Sequence, residues 1–443
     1  MSPRIALSGL AFGVFAGAVV ATTMPPAMLA SARAWFAEAN QQCRVDHGQL
    51  WGKSLCGPVL LVVPATRQVI ASQADAQGEL HAEDGVHVGR LPAQENLANT
   101  ALDWAGVRWS EMLWPLPDDA SRRRTLMAHE SFHRIQQSLG LPAAMGDNAH
   151  LDTLDGRYTM QLEWRALDAA LSARSDADRR TCVADALAFR AARYRHFPAA
   201  QAAEAALERN EGLAEYTGVM VGNDTPAAQQ AMAQEDLAGH VGDASFVRSF
   251  AYATGPAYGL LLDRYRPGWR REIVHGGSPA SLLASALQID MTAAPDIRQR
   301  AARYDGAALL ASEHERAAAQ AKRVAAYTAQ LVAGPVLQLP LKHMKLQFDP
   351  RNLLPLGDAG TVYPTMHVSD DWGRIDVDGG VLLASDWSRL SVAVPPGGLD
   401  GHALHGKGWI LKLAPGWQAV PGVRRGDWTV RRIADQPQAD QPG

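Results

Sequence analysis

Several classes of protein are disfavoured by what this sequence has little of. Its 443 residues carry a formal net charge of only −4, and basic residues form only short runs such as Arg122–Arg124, so charge gives no reason to expect a nucleic-acid partner. A Gly-x-Ser-x-Gly elbow is absent and the 3 cysteines lack the context of a nucleophile, which disfavours serine and cysteine hydrolases. The 47% hydrophobic and 20% charged residues indicate a folded chain, long enough for two or three domains.

Long apolar runs are also scarce, and the one that stands out lies at the N-terminus. Residues 5–21 are predominantly apolar and follow a basic residue, which is typical of a secretory signal peptide. Cleavage is expected after Ala18, after Ala21, or further along near Ala34. Because these 17 residues are nearly enough to span a bilayer, an uncleaved membrane anchor is the alternative. We therefore expect residues 1–34 to direct export to the periplasm or outside the cell, with membrane contact only if this segment is uncleaved.

The few cysteines agree with export. Cys43 and Cys56 are 13 positions apart. In an oxidising compartment they could close a small loop, which would contribute about 3 kcal/mol through chain entropy. Cys182 is left over on a predicted helix and is interpreted as a buried thiol. Three unpaired, buried cysteines are the alternative.

The segment that follows the export signal, residues 35–118, is expected to be rich in β-structure. Apolar runs and alternating patterns predict strands over 58–63, 68–71, 86–88 and 107–114. The last of these leads directly into a predicted helix. It could be an edge strand that binds an extended peptide by backbone pairing, or an ordinary strand inside a sheet.

Two further regions follow. Residues 119–333 are alanine-rich and predict a helical domain, in which 140–205 would be inserted helices. Short β runs separated by Gly, Pro and Asp predict an all-β module over 334–432, followed by a disordered tail at 433–443. Tryptophans of this module could form a carbohydrate- or wall-binding face, although they more often pack a small core; they are Trp372, Trp387, Trp409, Trp417 and Trp428. The expected fold class is α+β, with a β-rich N-terminal part, a helical domain and an all-β C-terminal module.

Within the helical region, residues 126–139 contain the pattern His-Glu-x-x-His, formed by His129, Glu130 and His133. On a helix, positions four apart project from one face, so both imidazoles can bind one metal ion. Glu130 can then lie beside a metal-bound water and take its proton. The pattern is short, and a surface helix with two solvated histidines would contain it as well.

A second stretch, Asn-Glu-Gly-Leu-Ala-Glu-Tyr at 210–216, resembles the third-ligand helix of gluzincin metallopeptidases, the clan of thermolysin-like enzymes and related aminopeptidases. The resemblance implies a zincin-like catalytic unit with one Zn²⁺ per chain. It implies that His129, His133 and Glu211 hold this ion and leave one position open for water. It also implies that Glu215, one helical turn later, orients one of the ligand histidines.

A weaker match to the same family is Tyr-Ala-Thr-Gly at 252–255. By this resemblance Tyr252 would donate a hydrogen bond to the oxyanion of the reaction, a contact typically worth about 3 to 4 kcal/mol. Tyr258 is the second choice for this donor. A tyrosine that only packs between helices is the alternative.

The chain departs from the family in one spacing. Glu211 lies 78 residues beyond His133, which is further than usual, and the intervening segment carries rival ligands. Glu163 is the alternative third ligand, unless it pairs with an arginine of its own predicted helix. His150 is a further rival.

Together these residues predict an exported zinc-dependent metallopeptidase that acts on a peptide or protein substrate. Zinc would lower the pKa of its bound water from about 16 toward about 7. Glu130 would accept the proton as general base and pass it to the leaving amine, while Tyr252 would stabilise the oxyanion. One alternative is a non-catalytic exported binding or scaffold protein with a zincin-like domain. Another is a zinc hydrolase of a non-peptide amide.

Overall fold

The computed structural model describes residues 24–92, 94–144, 146–292, 296–348, 353–399 and 404–433. Within these ranges the protein has an N-terminal β region, a helical middle and a C-terminal all-β module, which confirms the predicted fold class. The apolar run at 5–21 and the tail from residue 434 lie outside the described residues, so the export signal stays a prediction. None of the described helices is both long and apolar enough to cross a bilayer.

The N-terminal region consists of one helix and a six-stranded sheet. The helix α1 covers Pro26–Asp46, and the strands are β1 (Val59–Val62), β2 (Gln68–Ala71), β3 (His81–Glu83), β4 (Val86–Arg90), β5 (Thr100–Trp104) and β6 (Val107–Leu113). Their order in the sheet is β3-β4-β2-β1-β6-β5, and only β1 and β6 are parallel. One expectation fails here, because residues 35–46 are helical rather than β-rich. Of the two possibilities for β6, the ordinary strand inside a sheet is the one observed, since β6 lies between β1 and β5.

Both faces of this sheet are covered, which explains the apolar runs in its strands. In β1, Leu61 packs in the cluster that also contains residues of α1, whereas Leu60 packs in a cluster on the opposite face. The helix α1 buries Leu29 and Ala32. Cleavage near Ala34 would therefore remove packed turns of α1, while the two earlier cleavage positions lie outside the described residues.

The helical middle follows β6 after a short loop. Its helices are α2 (Ala120–Gln136), α3 (Leu154–Ser172), α4 (Asp176–His196), α5 (Ala200–Leu207), α6 (Leu213–Gly222), α7 (Pro226–Gly239), α8 (Phe246–Tyr265), α9 (Trp269–Ile273), α10 (Pro279–Leu287), α11 (Ile297–Ala301) and α12 (Gly306–Thr328). A π-helical turn, Glu208–Gly212, joins α5 to α6, and a second, Ala329–Ala333, extends α12. Helices α2, α6 and α8 contribute Phe132, Tyr216 and Phe250 to one buried core.

A disulfide joins Cys43, in the last turn of α1, to Cys56, in the loop before β1. This loop also holds the end of α2, because the Arg134 guanidinium donates to the carbonyl oxygens of Leu55 and Cys56 at 3.0 and 2.9 Å. The disulfide thus joins α1 to a loop that contacts α2. Cys182 is a free, half-buried thiol.

The C-terminal module is built from two sheets. Its strands are β7 (Val336–Pro340), β8 (Lys345–Phe348), β9 (Leu354–Pro355), β10 (Thr361–Tyr363), β11 (Met366–Asp370), β12 (Gly373–Val377), β13 (Val381–Leu383), β14 (Arg389–Ala393), β15 (His405–Gly406), β16 (Trp409–Leu413), β17 (Trp417–Pro421) and β18 (Trp428–Arg432). One sheet has the order β17-β18-β7-β14-β13-β10-β9, and the other has the order β15-β16-β12-β11-β8.

The tryptophans of this module mostly pack its core. Trp372 and Trp409 are buried, and their indole N–H groups donate to the carbonyls of Pro340 and Ala393. Trp387 alone among the five is strongly exposed, at 48%. A single exposed indole does not make a binding face, so core packing accounts for this composition.

Candidate metal centre

The helix that carries the His-Glu-x-x-His pattern begins at an aspartate cap. Asp119 accepts a hydrogen bond from the backbone amide of Arg122 at 2.8 Å, and α2 continues from there to Gln136. His129 and Glu130 are only 4% and 3% exposed. The alternative of two solvated histidines on a surface helix therefore does not hold.

Three donor atoms from distant parts of the chain converge on one point. The Nε2 atoms of His129 and His133 are 3.1 Å apart. Oε2 of Glu211 lies 3.6 Å from the first of these nitrogens and 3.4 Å from the second. In a tetrahedral zinc site with bonds of about 2.0 to 2.1 Å, neighbouring ligand atoms are about 3.3 Å apart. The three side chains, which form a possible metal-binding group, therefore fit a zinc ion.

Both histidines are oriented from behind by acceptors on their other ring nitrogen. Nδ1 of His129 lies 2.6 Å from a carboxylate oxygen of Glu215, and Nδ1 of His133 lies 2.9 Å from the side-chain oxygen of Gln136. The amide of Gln136 in turn donates to Asn210 at 3.0 Å. With the proton on each Nδ1, both Nε2 atoms are free to act as ligands.

The charges at this point favour a bound cation. Burial lowers the pKa of His129, but hydrogen bonds with Glu211 and Glu215 outweigh this effect and raise its pKa well above the ordinary value. Burial likewise raises the pKa of Glu211, but hydrogen bonds from His129 and His133 hold that pKa far below its usual range. The carboxylates thus attract positive charge to the imidazoles, either as a proton or as a metal ion, and a metal that binds at Nε2 of His129 has to displace the proton there.

Glu130 lies next to His129 in α2, and its charge interacts with both histidines. Its Oε2 atom is buried, and within the described part of the chain it has no hydrogen-bond partner. Burial raises the pKa of the Glu130 carboxyl, while the two histidines oppose this rise. A buried oxygen without a partner costs free energy, and such an oxygen next to a metal site is suited to accept a proton from water.

Tyr252 and a residue not expected from the sequence complete the site from α8. The ring of Tyr252 stacks on His129 with centroids 5.6 Å apart, and its hydroxyl donates to Oε2 of Glu211 at 2.6 Å. One turn earlier, Arg248 donates to Oε1 of Glu211 at 3.1 Å. Burial and the charge of Glu211 raise the pKa of Tyr252, so its hydroxyl keeps the proton that it donates.

Glycines let the helices approach closely enough to assemble the site. A Cβ atom on Gly218 or Gly222 of α6 would lie 2.6 to 2.7 Å from backbone atoms of Thr125 in α2. A Cβ atom on Gly255 of α8 would lie only 2.2 Å from the carbonyl oxygen of Gly212. These contacts bring the backbones of α2, α6 and α8 together, so that short side chains reach a common point.

The π-helical turn at Glu208–Gly212 carries the third candidate ligand. A π turn inserts one residue into a helix and shifts the face on which its side chains project, and such turns are frequent at functional sites. Glu211 lies inside this turn, whereas Glu215 lies in the regular helix α6. Glu211 can therefore face the Nε2 atoms of both histidines, while Glu215 contacts Nδ1 of His129.

The rival ligands lie elsewhere. Glu163 accepts from Arg190 and Arg193, both at 2.7 Å, and from the hydroxyl of Tyr258 at 2.7 Å, with no exposure of the three charged side chains. Its partners are on α4 and α8, not on its own helix. Tyr258 is thereby excluded as the second choice for the oxyanion donor. His150 bonds with Glu204 at 2.8 Å.

Sequence reasoning missed two contacts of the site, Gln136 and Arg248. Gln136 follows His133 by three positions, so it shares the helix face of the motif and could have been suspected from that spacing. Arg248 precedes Tyr252 by four positions in α8, a helix whose bounds were not predicted within the helical region 119–333. Its role could not be recognised before α8 was placed beside α6.

A second group of side chains that could bind a metal is present in the C-terminal module, and its aspartates already accept hydrogen bonds from other groups. His343, Asp370 and Asp371 have ligand atoms close together. Asp370, however, accepts from the backbone amides of Lys342, His343 and Asp371. This explains the cluster as the cap of a turn.

No protein-family model, curated protein or solved structure matches this chain. The gluzincin resemblance therefore depends on the two motifs and on the geometry described above.

Proposed function

We propose that this protein is an exported zinc-dependent metallopeptidase that hydrolyses peptide bonds. The observation that carries the proposal is the convergence of Nε2 of His129, Nε2 of His133 and Oε2 of Glu211, at mutual distances of 3.1 to 3.6 Å. Three protein ligands of this kind leave a fourth position of a tetrahedral zinc open, as catalytic sites require.

When bound, zinc supplies Lewis acidity, which polarises a carbonyl group and makes water more acidic. Glu130 accepts the proton of the attacking water and then transfers it to the leaving amine. Glu215 and Gln136 hold the two histidines in the tautomer that ligation needs. Tyr252, whose hydroxyl in the free protein donates to Glu211, changes its acceptor to the developing oxyanion.

A peptide substrate is supported by the sheet next to α2. Within the described residues, β5 pairs with β6 on one side only, and it packs beside α2. Its other side offers backbone groups to an extended peptide, as in other cases of strand addition. The sequence suggested this peptide-binding role as one possibility for β6, and we assign it to β5 because β5 lies at the edge of the sheet.

Zinc content and peptide cleavage test the proposal. Elemental analysis of the purified protein should find one zinc per chain, which is lost in Glu211→Gln and kept in Glu130→Gln. Glu163→Gln is the matched control, because it makes the same change at another buried glutamate that has only arginine and tyrosine partners.

A peptide library should be cleaved by the wild type and not by Glu130→Gln. A protein that binds zinc and hydrolyses other amides, but cleaves no peptide, would be a non-peptide amidase instead. A wild-type protein that takes up no zinc when it is offered would refute the enzyme and favour the non-catalytic binding protein.

A further inference from the structure

Next to the π-helical turn that carries Glu211 lies a buried cluster of charged side chains that the proposed chemistry does not use. Its five members are each at most 1% exposed; they are Glu163 of α3, Arg190 and Arg193 of α4, Glu204 of α5 and Glu208 of the π turn. Four of them belong to the segment 140–205, the expected insertion that sets this chain apart from the gluzincin spacing. The structure thus connects this segment directly to the turn of the third candidate ligand.

Arg190 joins the π turn to the rest of the cluster. Its Nη1 and Nη2 atoms donate to the two carboxylate oxygens of Glu208 at 2.9 and 2.6 Å, and its Nε atom donates to Glu163 at 2.7 Å. Two parallel hydrogen bonds keep the carboxylate from rotating, so a pair of this kind fixes direction as well as distance. Arg193 also binds Glu163, but its other carboxylate partner in the described chain is Glu204, at 2.7 and 2.8 Å.

The residue that Arg190 holds and the candidate ligand lie in one turn. Glu208 is the first residue of the π turn, and Glu211 follows it by three positions. A π turn is rare and departs from the regular hydrogen bonds of an α-helix, so other contacts have to keep it in place. Arg190 holds Glu208 at one end, while Glu211 faces the two ligand histidines. A shift of Glu208 would therefore move the candidate ligand as well.

The helix that carries Tyr252 is attached to the same cluster. The hydroxyl of Thr254 donates to Oε1 of Glu208 at 3.2 Å, and the hydroxyl of Tyr258 donates to Oε1 of Glu163 at 2.7 Å. Both side chains are buried, and they follow Tyr252 in α8 by two and six positions. The cluster thus contacts both of the segments that bring groups to the metal centre from outside α2.

Stability alone is a poor explanation for this cluster. Removing five charged side chains from water costs free energy, and buried ion pairs are often no more stabilising than apolar side chains of similar volume. Hydrogen bonds between charged groups do, however, fix the relative orientation of the elements that carry them, because each bond has a preferred direction. A geometric role therefore explains the cluster better than stability does.

We propose that Arg190 is a positioning residue, which holds the π turn through its bidentate pair with Glu208 so that Oε2 of Glu211 lies at the metal. Arg190 acts through Glu208 and touches neither metal nor substrate. The inference rests on the proposed function for its effect on zinc, whereas the holding of the π turn is a property of the metal-free protein. It also gives the inserted helices a role, because α4 supplies the arginine.

Glu208→Gln tests this pair most directly. It keeps the shape of the side chain but replaces one of the two acceptor oxygens by a donor that faces the guanidinium. The cluster has three acids and two arginines, so the change leaves equal numbers of opposite charges and the variant should fold. Glu204→Gln is the matched control, because it makes the same change at an equally buried acid of the cluster whose arginine partner is Arg193.

The first measurement uses the metal-free protein and does not require any activity. Backbone hydrogen exchange over residues 206–216, followed by mass spectrometry, should be about tenfold faster in Glu208→Gln than in the wild type, because exchange reports local opening of the turn. Glu204→Gln should leave exchange in this segment unchanged. Equal exchange in the wild type and Glu208→Gln would overturn the inference, whatever the protein does with zinc.

The second measurement is zinc affinity by chelator competition, together with the visible spectrum of the Co²⁺-substituted protein, which reports ligand geometry. Glu208→Gln should weaken zinc binding by about tenfold or more and change the Co²⁺ spectrum. Glu204→Gln should change neither, even where thermal melts show a similar loss of stability. Equal losses of affinity in both variants would make the cluster merely structural and overturn the inference. A wild type that takes up no zinc would refute the proposed function, and the exchange measurement would still decide whether Glu208 holds the turn.

Discussion

Glu111 in β6 should make the stability of the N-terminal sheet depend on pH. Its side chain is fully buried. Burial raises the pKa of Glu111 from 4.5 to about 7, and Glu95 and Glu130 add to this, while the backbone of Ala98 and the charge of Arg67 oppose it. The buried carboxyl is therefore neutral below pH 7.

The sign follows from proton linkage. Between pH 4.5 and about 7 the folded protein binds a proton at Glu111 that the unfolded chain has lost, so the free energy of unfolding falls as the pH rises. The stabilisation is complete below pH 4.5 and is lost as the pH passes through about 7. At 1.36 kcal/mol per pKa unit, the total loss is at most about 3 kcal/mol.

Glu111→Gln keeps the shape of this side chain and removes its ionisation. Urea unfolding of both proteins, followed by far-ultraviolet circular dichroism between pH 4.5 and pH 8.5, should show the variant gaining stability relative to the wild type as the pH rises, by up to about 3 kcal/mol. Glu315→Gln, at an exposed position of α12, is the control. A constant difference between the wild type and Glu111→Gln at every pH would refute the assignment.

Three further changes test the packing around the site. Glu163→Gln should lower the free energy of unfolding by about 3 to 5 kcal/mol, because it leaves buried arginines without their partner. The zinc content per folded chain should not change. Loss of zinc in this variant would show that Glu163 is a ligand. Gly222→Ala should lower the free energy of unfolding by about 1 to 3 kcal/mol and weaken zinc binding, because its Cβ would lie 2.7 Å from the amide of Thr125. Gly239→Ala, with open space around it, should change neither property. Thermal melts and zinc content measure the two effects. Glu215→Gln should weaken zinc affinity about 10- to 100-fold in a chelator competition, since it removes the charge behind a ligand histidine; unchanged affinity would contradict its orienting role.

The fold class could be predicted because local patterns reflect burial. The strand β1 is four apolar residues long and is buried on both faces, and α3 has a clear helical period with a Thr153 cap. The helix α8 lies within the region that was predicted to be helical, but its own bounds were not predicted, and it contains Gly255 and Pro256, which ordinarily interrupt helices. They are tolerated inside α8, where Gly255 packs directly on the backbone of Gly212, a contact that no local pattern encodes.

The position of β6 in its sheet shows the same limit. The sequence predicts a strand at 107–114 and indicates that it precedes the motif helix, but it does not predict β5, the strand that covers the other side of β6. Whether a strand lies inside a sheet depends on the parallel pairing of β1 with β6. That pairing joins segments about fifty residues apart and follows from the topology as a whole.

By itself the sequence determined the local part of the site. His129, Glu130 and His133 share one helix, so their spacing alone sets their relative positions, and the motif at 210–216 suggested Glu211. Only the tertiary structure could decide between Glu211 and Glu163, because both are buried glutamates on helices. Arg190 and Arg193 neutralise Glu163 in the core, whereas glycine-mediated helix contacts bring Glu211 to the histidines. The partners of a buried charge come from elsewhere in the chain, and the fold determines which of them are near.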